Sequence, residues 1–277
     1  MNSVQLAVGF MLAVGIGGLA YWRRSLTASG WLGAAIVGTL TFGLGGFTCG
    51  IVLIAFFLSS SLLSHYKERQ KEARAAEKFA KGGRRDFAQT MANGGLAALL
   101  AGAYGLFGQP PLLFAAFIGV MATVTADTWA TELGVLSTQP PRLITSGRIV
   151  EPGTSGGVSA VGTTAAAAGA CFIGLIALVS LLFEQQIGGG FATLSWWIIP
   201  GALLGGLGGA LFDSLLGANW QAIYSYADGR ETERPYSRNG SRNSYRRGWR
   251  WLNNDLVNFI SSVVGAVLAV LVLLPFR

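Results

Sequence analysis

Residues 125–159 read TADTWATELGVLSTQPPRLITSGRIVEPGTSGGVS, and this is the stretch around which the sequence is organised. It starts as the end of an apolar helix that carries Asp127 and Glu132. It then crosses a Pro-interrupted polar connection and re-enters an apolar segment through residues 153–157, GTSGG. Two carboxylates at the mouth of one helix and a glycine-rich turn before the next are typical of a site for a phosphate or a metal–phosphate complex.

The composition is that of a membrane protein. Of 277 residues, 52% are hydrophobic and 12% are charged, whereas a soluble domain has about 25% charged residues. The 40 glycines would be costly in soluble helices, but small residues let membrane helices approach each other closely. The net charge of +7 does not indicate a nucleic-acid partner, because the positive-inside rule explains basic loops between apolar spans equally well.

The apolar segments predict an all-α, polytopic transmembrane helical bundle of about eight spans, with six as the lower bound. As one helix, the apolar stretch from Trp31 to about Tyr66 would be roughly 50 Å long, so we divide it at the glycines of residues 43–46. The predicted spans are at about residues 4–22, 28–44, 47–65, 88–107, 111–134, 155–182, 196–217 and 255–274.

The basic residues predict the orientation of the bundle. All of the 20 Lys and Arg residues except Arg277 lie at 23–24, 67–85, 142–148 and 230–250. With eight spans, these four groups fall on one side, which the positive-inside rule identifies as the cytoplasm. We therefore predict one transmembrane domain, residues 1–277, with both termini on the non-cytoplasmic side. Its cytoplasmic polar segments are expected at about 67–87, 137–153 and 218–253.

The predicted topology brings the unusual polar residues to the cytoplasmic face. Carboxylates favour magnesium, basic side chains favour phosphate, and a glycine-rich turn before a helix offers free N–H groups. The predicted metal ligands are Asp127, Asp213 and Asp255, and Glu132 is predicted as a further catalytic carboxylate. The residues predicted to bind substrate or nucleotide are Lys81, Arg84, Arg85, Asp86, Asn93, Thr131, Gly153, Thr154, Ser155, Gly156, Gly157, Asn254 and Asn258.

Several of these features have simpler explanations when taken alone. Residues 153–157 are equally typical of a plain helix start, the Arg-rich segment 230–250 is typical of a positive-inside loop, and Asp213 is also a reasonable helix-boundary residue. Asp127 and Glu132 are separated by roughly 140° on an ideal helix. At most one of them is therefore expected to bind a metal directly, and we favour Asp127. The convergence of all the clusters on one face favours a site.

Five segments resemble an integral-membrane family that includes the phytyl-phosphate kinases. They are KGGRRDFAQTMANGG (81–95), ADTWATELG (126–134), EPGTSGGVS (151–159), DSLLGA (213–218) and WLNNDLVNFISS (251–262). The resemblance implies transfer of a phosphoryl group from a nucleoside triphosphate, with CTP expected, to an isoprenoid monophosphate such as phytyl or geranylgeranyl phosphate. Segment 230–250 has no Cys or His, so no metal role is carried over to it.

The resemblance agrees with the reading of the residues. An isoprenoid tail dissolves in the bilayer, so its phosphate lies at the interface, where a site facing the cytoplasm also meets a soluble nucleotide. The acceptor, a phosphate monoester with a second pKa of about 6, needs no general base at neutral pH. Catalysis then consists of positioning and charge neutralisation. We therefore expect Mg²⁺, membrane lipid, an isoprenoid monophosphate and a nucleoside triphosphate as partners, in a plasma or plastid-type membrane.

Two other classes of membrane protein are alternatives to the kinase. A lipid or solute transporter would carry polar residues through the bilayer midplane, whereas the outer halves of these spans are almost free of charge. A CDP-alcohol-type phosphotransferase would carry the motif DGxxARx8GxxxDxxxD, which is absent from the sequence. The sequence therefore favours the kinase.

Overall fold

The computed structural model describes residues 3–75, 77–78, 83–187, 195–237 and 239–276. Within these ranges the chain is mostly helical, and the predicted polytopic bundle is confirmed. The helices are α1 (Ser3–Trp22), α2 (Ala28–Gly43), α3 (Gly46–His65), α4 (Glu68–Ala75), α5 (Phe87–Leu106), α6 (Pro111–Gly134), α7 (Ala160–Ile187), α8 (Ile198–Asn219) and α9 (Asn254–Leu273), followed by a 3-10 turn at Leu274–Phe276.

The eight predicted spans correspond to the eight helices other than α4. In the described ranges, α1, α3, α6, α7, α8 and α9 are each long and apolar enough to cross a membrane. Helix α2 is apolar but has only 16 residues. Helix α5 has 20 residues, and Gln89 and Asn93 make it more polar than the others. The predicted range of six to eight spans therefore stands.

Two small antiparallel sheets occupy the polar connections. In the first, β1 (Arg142–Leu143) pairs with β2 (Gly157–Val158). In the second, β3 (Ile223–Ser225) is the middle strand between β4 (Glu231–Thr232) and β5 (Ser244–Arg247). The all-α prediction thus holds for the bundle and misses these sheets, because strands of two to four residues show almost no periodicity.

The predicted division of residues 31–66 into two helices is confirmed. Between α2 and α3, Gly46 has a φ of +91°, a conformation that glycine adopts without steric cost. A Cβ on Gly105 of α5 would overlap with the carbonyl group of Leu44, so α5 crosses at this break. The predicted start of the sixth span at residue 155 is wrong. Helix α7 begins at Ala160 because Gly157 and Val158 pair with β1.

Contacts at the helix ends show that the eight long helices alternate in direction. At one end of the bundle, Gln5 Nε2 donates to Phe42 O (3.1 Å) and Thr48 Oγ1 donates to Glu184 Oε2 (2.6 Å). At the other end, Thr27 N donates to Arg85 O (3.0 Å). This second end, which also carries α4 and both sheets, is called the polar face below.

Helix α6 lies at the centre of the bundle, with every residue from Phe114 to Ala126 buried. Its neighbours approach it through small residues. A Cβ on Gly119 would lie 2.8 Å from Ala266 Cα of α9, and one on Gly206 of α8 would lie 2.9 Å from Ala122 O. Such backbone-to-backbone packing is typical of membrane helices. It fixes the last turns of α6 relative to α8 and α9 at the polar face.

Candidate functional site

A cavity of about 670 Å³ lies at the polar face, between the helix ends, the turn at residues 152–157 and the second sheet. Its volume falls within the range of small-molecule pockets, about 300–1,000 Å³. Fourteen of the residues predicted from the sequence line this cavity: Arg85, Asn93, Asp127, Thr131, Glu132, Gly153, Thr154, Ser155, Gly156, Gly157, Asp213, Asn254, Asp255 and Asn258.

Asp127 of α6 and Asp213 of α8 both line this cavity, close enough for their charges to influence each other. The packing of the two helices explains their proximity. A Cβ on Gly209 would lie 2.5 Å from Thr123 Cγ2, so α8 packs tightly against the Thr123 side chain there. Each aspartate lies four residues further along its own helix, and the two helices run in the same direction. One turn beyond the contact, the two aspartates therefore lie on the facing sides of α6 and α8.

Helix α9 contributes polar groups to the same cavity. Ser261 Oγ donates to Asp213 Oδ2 at 3.1 Å, and Asn258 Nδ2 donates to Asn93 Oδ1 of α5 at 3.3 Å. Asn253 caps α9 by accepting from Leu256 N at 3.0 Å, which places Asn254 and Asp255 in the first turn of the helix. The site residues of α5, α8 and α9 lie far apart in the sequence, and the structure places them around one cavity.

Glu132 lies on the cavity wall but is engaged in an ion pair. It binds Lys71 Nζ of α4, and Ser64 Oγ donates to it at 2.6 Å. Lys71 Nζ also donates to the last carbonyl groups of α3, Leu63 O and Ser64 O, both at 2.7 Å. Glu132 therefore joins α4, α3 and α6. The spacing argument, by which Asp127 and Glu132 do not share one ion, agrees with this geometry.

Residues 153–157 form a turn ahead of α7 and not its first helical turn. The N–H groups of Thr154 and Gly157 donate within the turn, to Glu151 O (3.2 Å) and Thr154 O (2.9 Å). At most three of the five N–H groups are therefore left for a phosphate. The predicted combination of this turn with the N-terminal dipole of a helix is not present, because the β1–β2 pairing separates the turn from α7.

The same turn is held against the end of α8 by a close backbone approach. Gly156 has a φ of +81°, and a Cβ there would lie 2.6 Å from Ala218 Cα, so only glycine fits. Ser155 Oγ donates to Glu233 Oε1 at 2.8 Å. The turn is thus a structural wall of the cavity that also positions Glu233.

Two predicted residues that the structure describes, Arg84 and Asp86, do not line the cavity. Arg84 Nη2 donates to Leu26 O at 3.1 Å. Asp86 caps α5, accepting from Gln89 N at 2.9 Å, while the Gln89 side chain accepts from Asp86 N in return. The capping box gives Asp86 a structural role that the three- and four-residue spacing with Gln89 and Asn93 did not reveal. Lys81 lies outside the described residues.

Arg85 is a basic residue of the cavity wall that is placed to meet an anion. Its guanidinium lies over the rings of Phe56 and Phe57, with Cζ 5.6 and 5.9 Å from the ring centroids. In the part of the chain that the structure describes, no carboxylate oxygen lies within 4.0 Å of it. Burial lowers the pKa of Arg85 from its ordinary value, but arginine remains charged in proteins. A sheltered charge of this kind favours an anionic ligand.

Glu233 is a site residue that the sequence reasoning missed. It lines the cavity, accepts from Gln221 Nε2 at 2.9 Å and acts electrostatically on Asp127 and Asp213. Its backbone N–H donates to Lys78 O at 2.9 Å, which ties the second sheet to the segment after α4. Glu233 lies in the Arg-rich segment interpreted as a positive-inside loop, where no periodicity marks single residues.

The carboxylates fit a magnesium ion that is shared with a phosphate ligand. Among the described residues, no group of three or more His, Cys, Asp and Glu side chains is arranged to hold a metal. The three-carboxylate site predicted from Asp127, Asp213 and Asp255 is therefore not formed. Mg²⁺ in phosphoryl-transfer sites is usually held by one or two carboxylates, waters and substrate phosphates. The pair of Asp127 and Asp213 meets that requirement.

Comparison with known proteins identifies relatives along the whole bundle. The model of the family "Integral membrane protein DUF92" matches residues 11–266. Protein PGR of Arabidopsis thaliana is 38% identical over 215 residues, 73% of this chain and 74% of the relative. An uncharacterized membrane protein of Methanocaldococcus jannaschii is 30% identical over 269 residues, 97% of this chain and 94% of the relative.

A further relative supports the resemblance stated from the five sequence segments. Protein VTE6, chloroplastic, of Arabidopsis thaliana is 28% identical over 261 residues, 89% of this chain and 65% of the relative. No solved structure matches the chain. The resemblance to an integral-membrane family is thereby confirmed.

Proposed function

The chain belongs to the DUF92 family of integral membrane proteins, and we propose that its polar cavity is the active site of an isoprenoid-phosphate kinase. The reaction transfers the terminal phosphoryl group of a nucleoside triphosphate, with CTP the expected donor, to an isoprenoid monophosphate. The observation that carries this proposal is the meeting of the Asp127–Asp213 pair and the sheltered guanidinium of Arg85 in one cavity at the end of a membrane bundle.

In the proposed reaction, an oxygen of the acceptor phosphate attacks the γ-phosphorus of the nucleotide. The bond from that phosphorus to the β–γ bridging oxygen breaks, and the nucleoside diphosphate leaves with the electron pair. Phosphoryl transfer of this kind depends on positioning and on neutralisation of phosphate charge. A bound Mg²⁺ would supply most of that neutralisation on the nucleotide side.

The protein's own groups divide into two sets. Asp127 and Asp213 would hold the metal–nucleotide complex, and Ser261 orients Asp213 through its hydrogen bond. Arg85 would hold the acceptor phosphate. Asn93 and Asn258, joined by their side-chain amides, line the same cavity and would offer further hydrogen bonds to phosphate oxygens.

We further propose that the polar face is cytoplasmic. The basic residues of the described ranges lie at this end of the bundle, as the positive-inside rule requires. A soluble nucleotide would then reach the cavity from the cytoplasm, while the acceptor would reach it from the membrane.

The proposal is tested with purified protein in lipid nanodiscs containing geranylgeranyl monophosphate and Mg²⁺. CTP, ATP and UTP, each labelled at the γ-phosphate, are supplied separately, and labelled geranylgeranyl diphosphate is measured. Asp127→Asn and Asp213→Asn are expected to lower the rate by at least about 100-fold, since each removes a charge that acts on the phosphates. Asp228→Asn is the control, because Asp228 pairs with exposed Arg230 outside the cavity wall.

Two results would contradict the proposal. One is a folded protein that forms no labelled diphosphate with any of the nucleotides. The other is release of CMP with formation of a phosphodiester when a CDP-alcohol and an alcohol acceptor are supplied instead, which is the outcome of a CDP-alcohol-type phosphotransferase.

A further inference from the structure

A second, mostly apolar cavity lies between α1, α2, α3 and α5, and it is called the apolar groove below. Representative wall residues are Leu12 and Ile16 of α1, Val37 of α2, and Leu53 and Ile54 of α3. Neither the Asp127–Asp213 pair nor the turn at residues 153–157 borders it. The proposed reaction has so far given this space no role.

The apolar groove adjoins the polar cavity. Arg85, Gln89 and Asn93 line both spaces, so the two meet along one face of the first turns of α5. No other described residues are shared between the two walls. A molecule with a polar head and an apolar tail could therefore occupy both at once.

The groove runs inward from the polar face. Its wall on α1 extends from Gly17 to Gly9, a rise of about 12 Å in a helix. Leu26 and Arg85 lie at the polar-face end, whereas Phe42 lies near the opposite end of the bundle, where its carbonyl accepts from Gln5. Leu12 is 41% exposed, so the α1 wall of the groove borders the outer surface of the bundle.

The size of the groove limits what it can hold. Its volume is about 90 Å³. One water-sized group needs about 10–15 Å³ of cavity volume, so the groove has room for roughly six to nine such groups. This corresponds to about one or two isoprene units. A complete phytyl or geranylgeranyl chain does not fit, and its remainder would have to lie in the bilayer.

Arg85 stands where a head group would emerge from the groove. Its guanidinium stacks on the rings of Phe56 and Phe57, and both phenylalanines line the groove. The charge thus has apolar surface on one side and the polar cavity on the other. A phosphate attached to a hydrocarbon chain matches both surroundings.

From this arrangement we infer that the apolar groove binds the first one or two isoprene units of the lipid acceptor and places its phosphate at Arg85. The inference rests on the proposed function and defines which part of the acceptor is recognised. It predicts that kcat/KM rises from an acceptor phosphate with one isoprene unit to one with two. Beyond two units it stays nearly constant, because the further units lie in lipid.

The kinetic test uses a matched pair of substitutions on α3. Ile54 lines the groove, whereas Leu58, one turn away, is 51% exposed and lies outside it. Ile54→Trp fills the groove and is expected to raise the KM for geranylgeranyl phosphate at least about tenfold, the scale on which apolar pockets discriminate by size. The KM for the nucleotide should not change, and Leu58→Trp should leave both values unchanged. Equal values of KM for the acceptor in the two variants would overturn the inference.

A second measurement does not depend on catalysis. Geranylgeranyl phosphate carrying a photoreactive diazirine on its first isoprene unit is crosslinked to the wild-type protein in nanodiscs, and the adducts are mapped by mass spectrometry. Adducts on groove-lining residues of α1, α2, α3 and α5, lost in Ile54→Trp, support the inference even if the protein proves to have no kinase activity. Adducts confined to α7, α8 or α9 would overturn it even if the kinase activity is found.

Discussion

Gly209→Ala tests whether catalysis depends on the close approach of α6 and α8. The new Cβ would lie 2.5 Å from Thr123 Cγ2 and 2.9 Å from Thr123 Cβ, whereas ordinary contact begins at 3.4 Å. Thr123 cannot turn away, because it is buried and its hydroxyl donates to Gly119 O (2.8 Å) and Gly205 O (3.1 Å). Because Thr123 Oγ1 lies closer still to the new Cβ, the two helices must separate by at least about 0.9 Å, the difference between 2.5 and 3.4 Å.

This separation acts directly on the pair of carboxylates one turn further along. A displacement of about 1 Å can reduce the rate roughly 100-fold, so we expect kcat to fall by about that factor. Overpacking should also cost about 1–3 kcal/mol of stability. The measurements are the rate of diphosphate formation and thermal unfolding of the purified protein.

Gly208→Ala is the matched control on the neighbouring residue. Its Cβ would meet only the terminal Cδ1 of Leu268 at short range, and a leucine end can rotate away. We expect its kcat to remain within about threefold of wild type, because the rotation of one leucine side chain should have only a small energetic cost. In the double variant Gly209→Ala/Thr123→Ala, removal of Thr123 Oγ1 and Cγ2 should restore part of the lost rate, a non-additive result. A folded Gly209→Ala protein with full kcat would refute the reasoning.

Three further substitutions separate structural from catalytic roles. Glu132→Gln leaves Lys71, whose side chain is 10% exposed, without its counter-charge. Thermal unfolding should show a loss of about 1–3 kcal/mol of stability, which lies between the values for surface and buried ion pairs. Unchanged stability would contradict a stabilising role of the ion pair. Asp86→Ala removes the cap of α5 and should lower stability by about 1 kcal/mol with kcat unchanged. A large loss of kcat in a folded protein would instead show that Asp86 takes part in the reaction. Gly46→Ala introduces a Cβ at a φ of +91°, and no neighbouring atom would lie nearer to it than 3.6 Å. We therefore expect about 1 kcal/mol of backbone strain and no loss of kcat. Unchanged stability would show that the backbone between α2 and α3 adjusts to remove the strain.

The helices were predictable from the sequence because each is a long apolar segment with a local stop signal. The break at Gly45–Gly46 and the connection before Pro111 are local signals of this kind. The central position of α6 was not predictable, since a helix that is apolar on every side suits lipid and protein surroundings equally. The start of α7 was misplaced because the pairing of Val158 with Arg142 is a contact that hydropathy does not register.

The candidate site was predictable to the extent that its residues lie at helix ends. Alternating topology alone brings Asp127, Asp213 and Asn258 to one face, and the structure shows them around one cavity. Glu233 was missed because its position depends on the second sheet, whose short strands leave no pattern. Asp86 was assigned to the site because helical spacing cannot distinguish a side chain that points into a cavity from one that caps its own helix.

The shortness of α2 has a consequence for the membrane around the protein. Sixteen residues span about 24 Å, and the hydrocarbon core of a bilayer is about 30 Å thick. Leu32, 60% exposed, and Ile36, 39% exposed, show that α2 faces lipid. Hydrophobic mismatch of about 6 Å is relieved by local thinning of the bilayer at a fraction of a kcal/mol per ångström. Such thinning would draw the interface inward beside the apolar groove, and a thin membrane would reduce the mismatch.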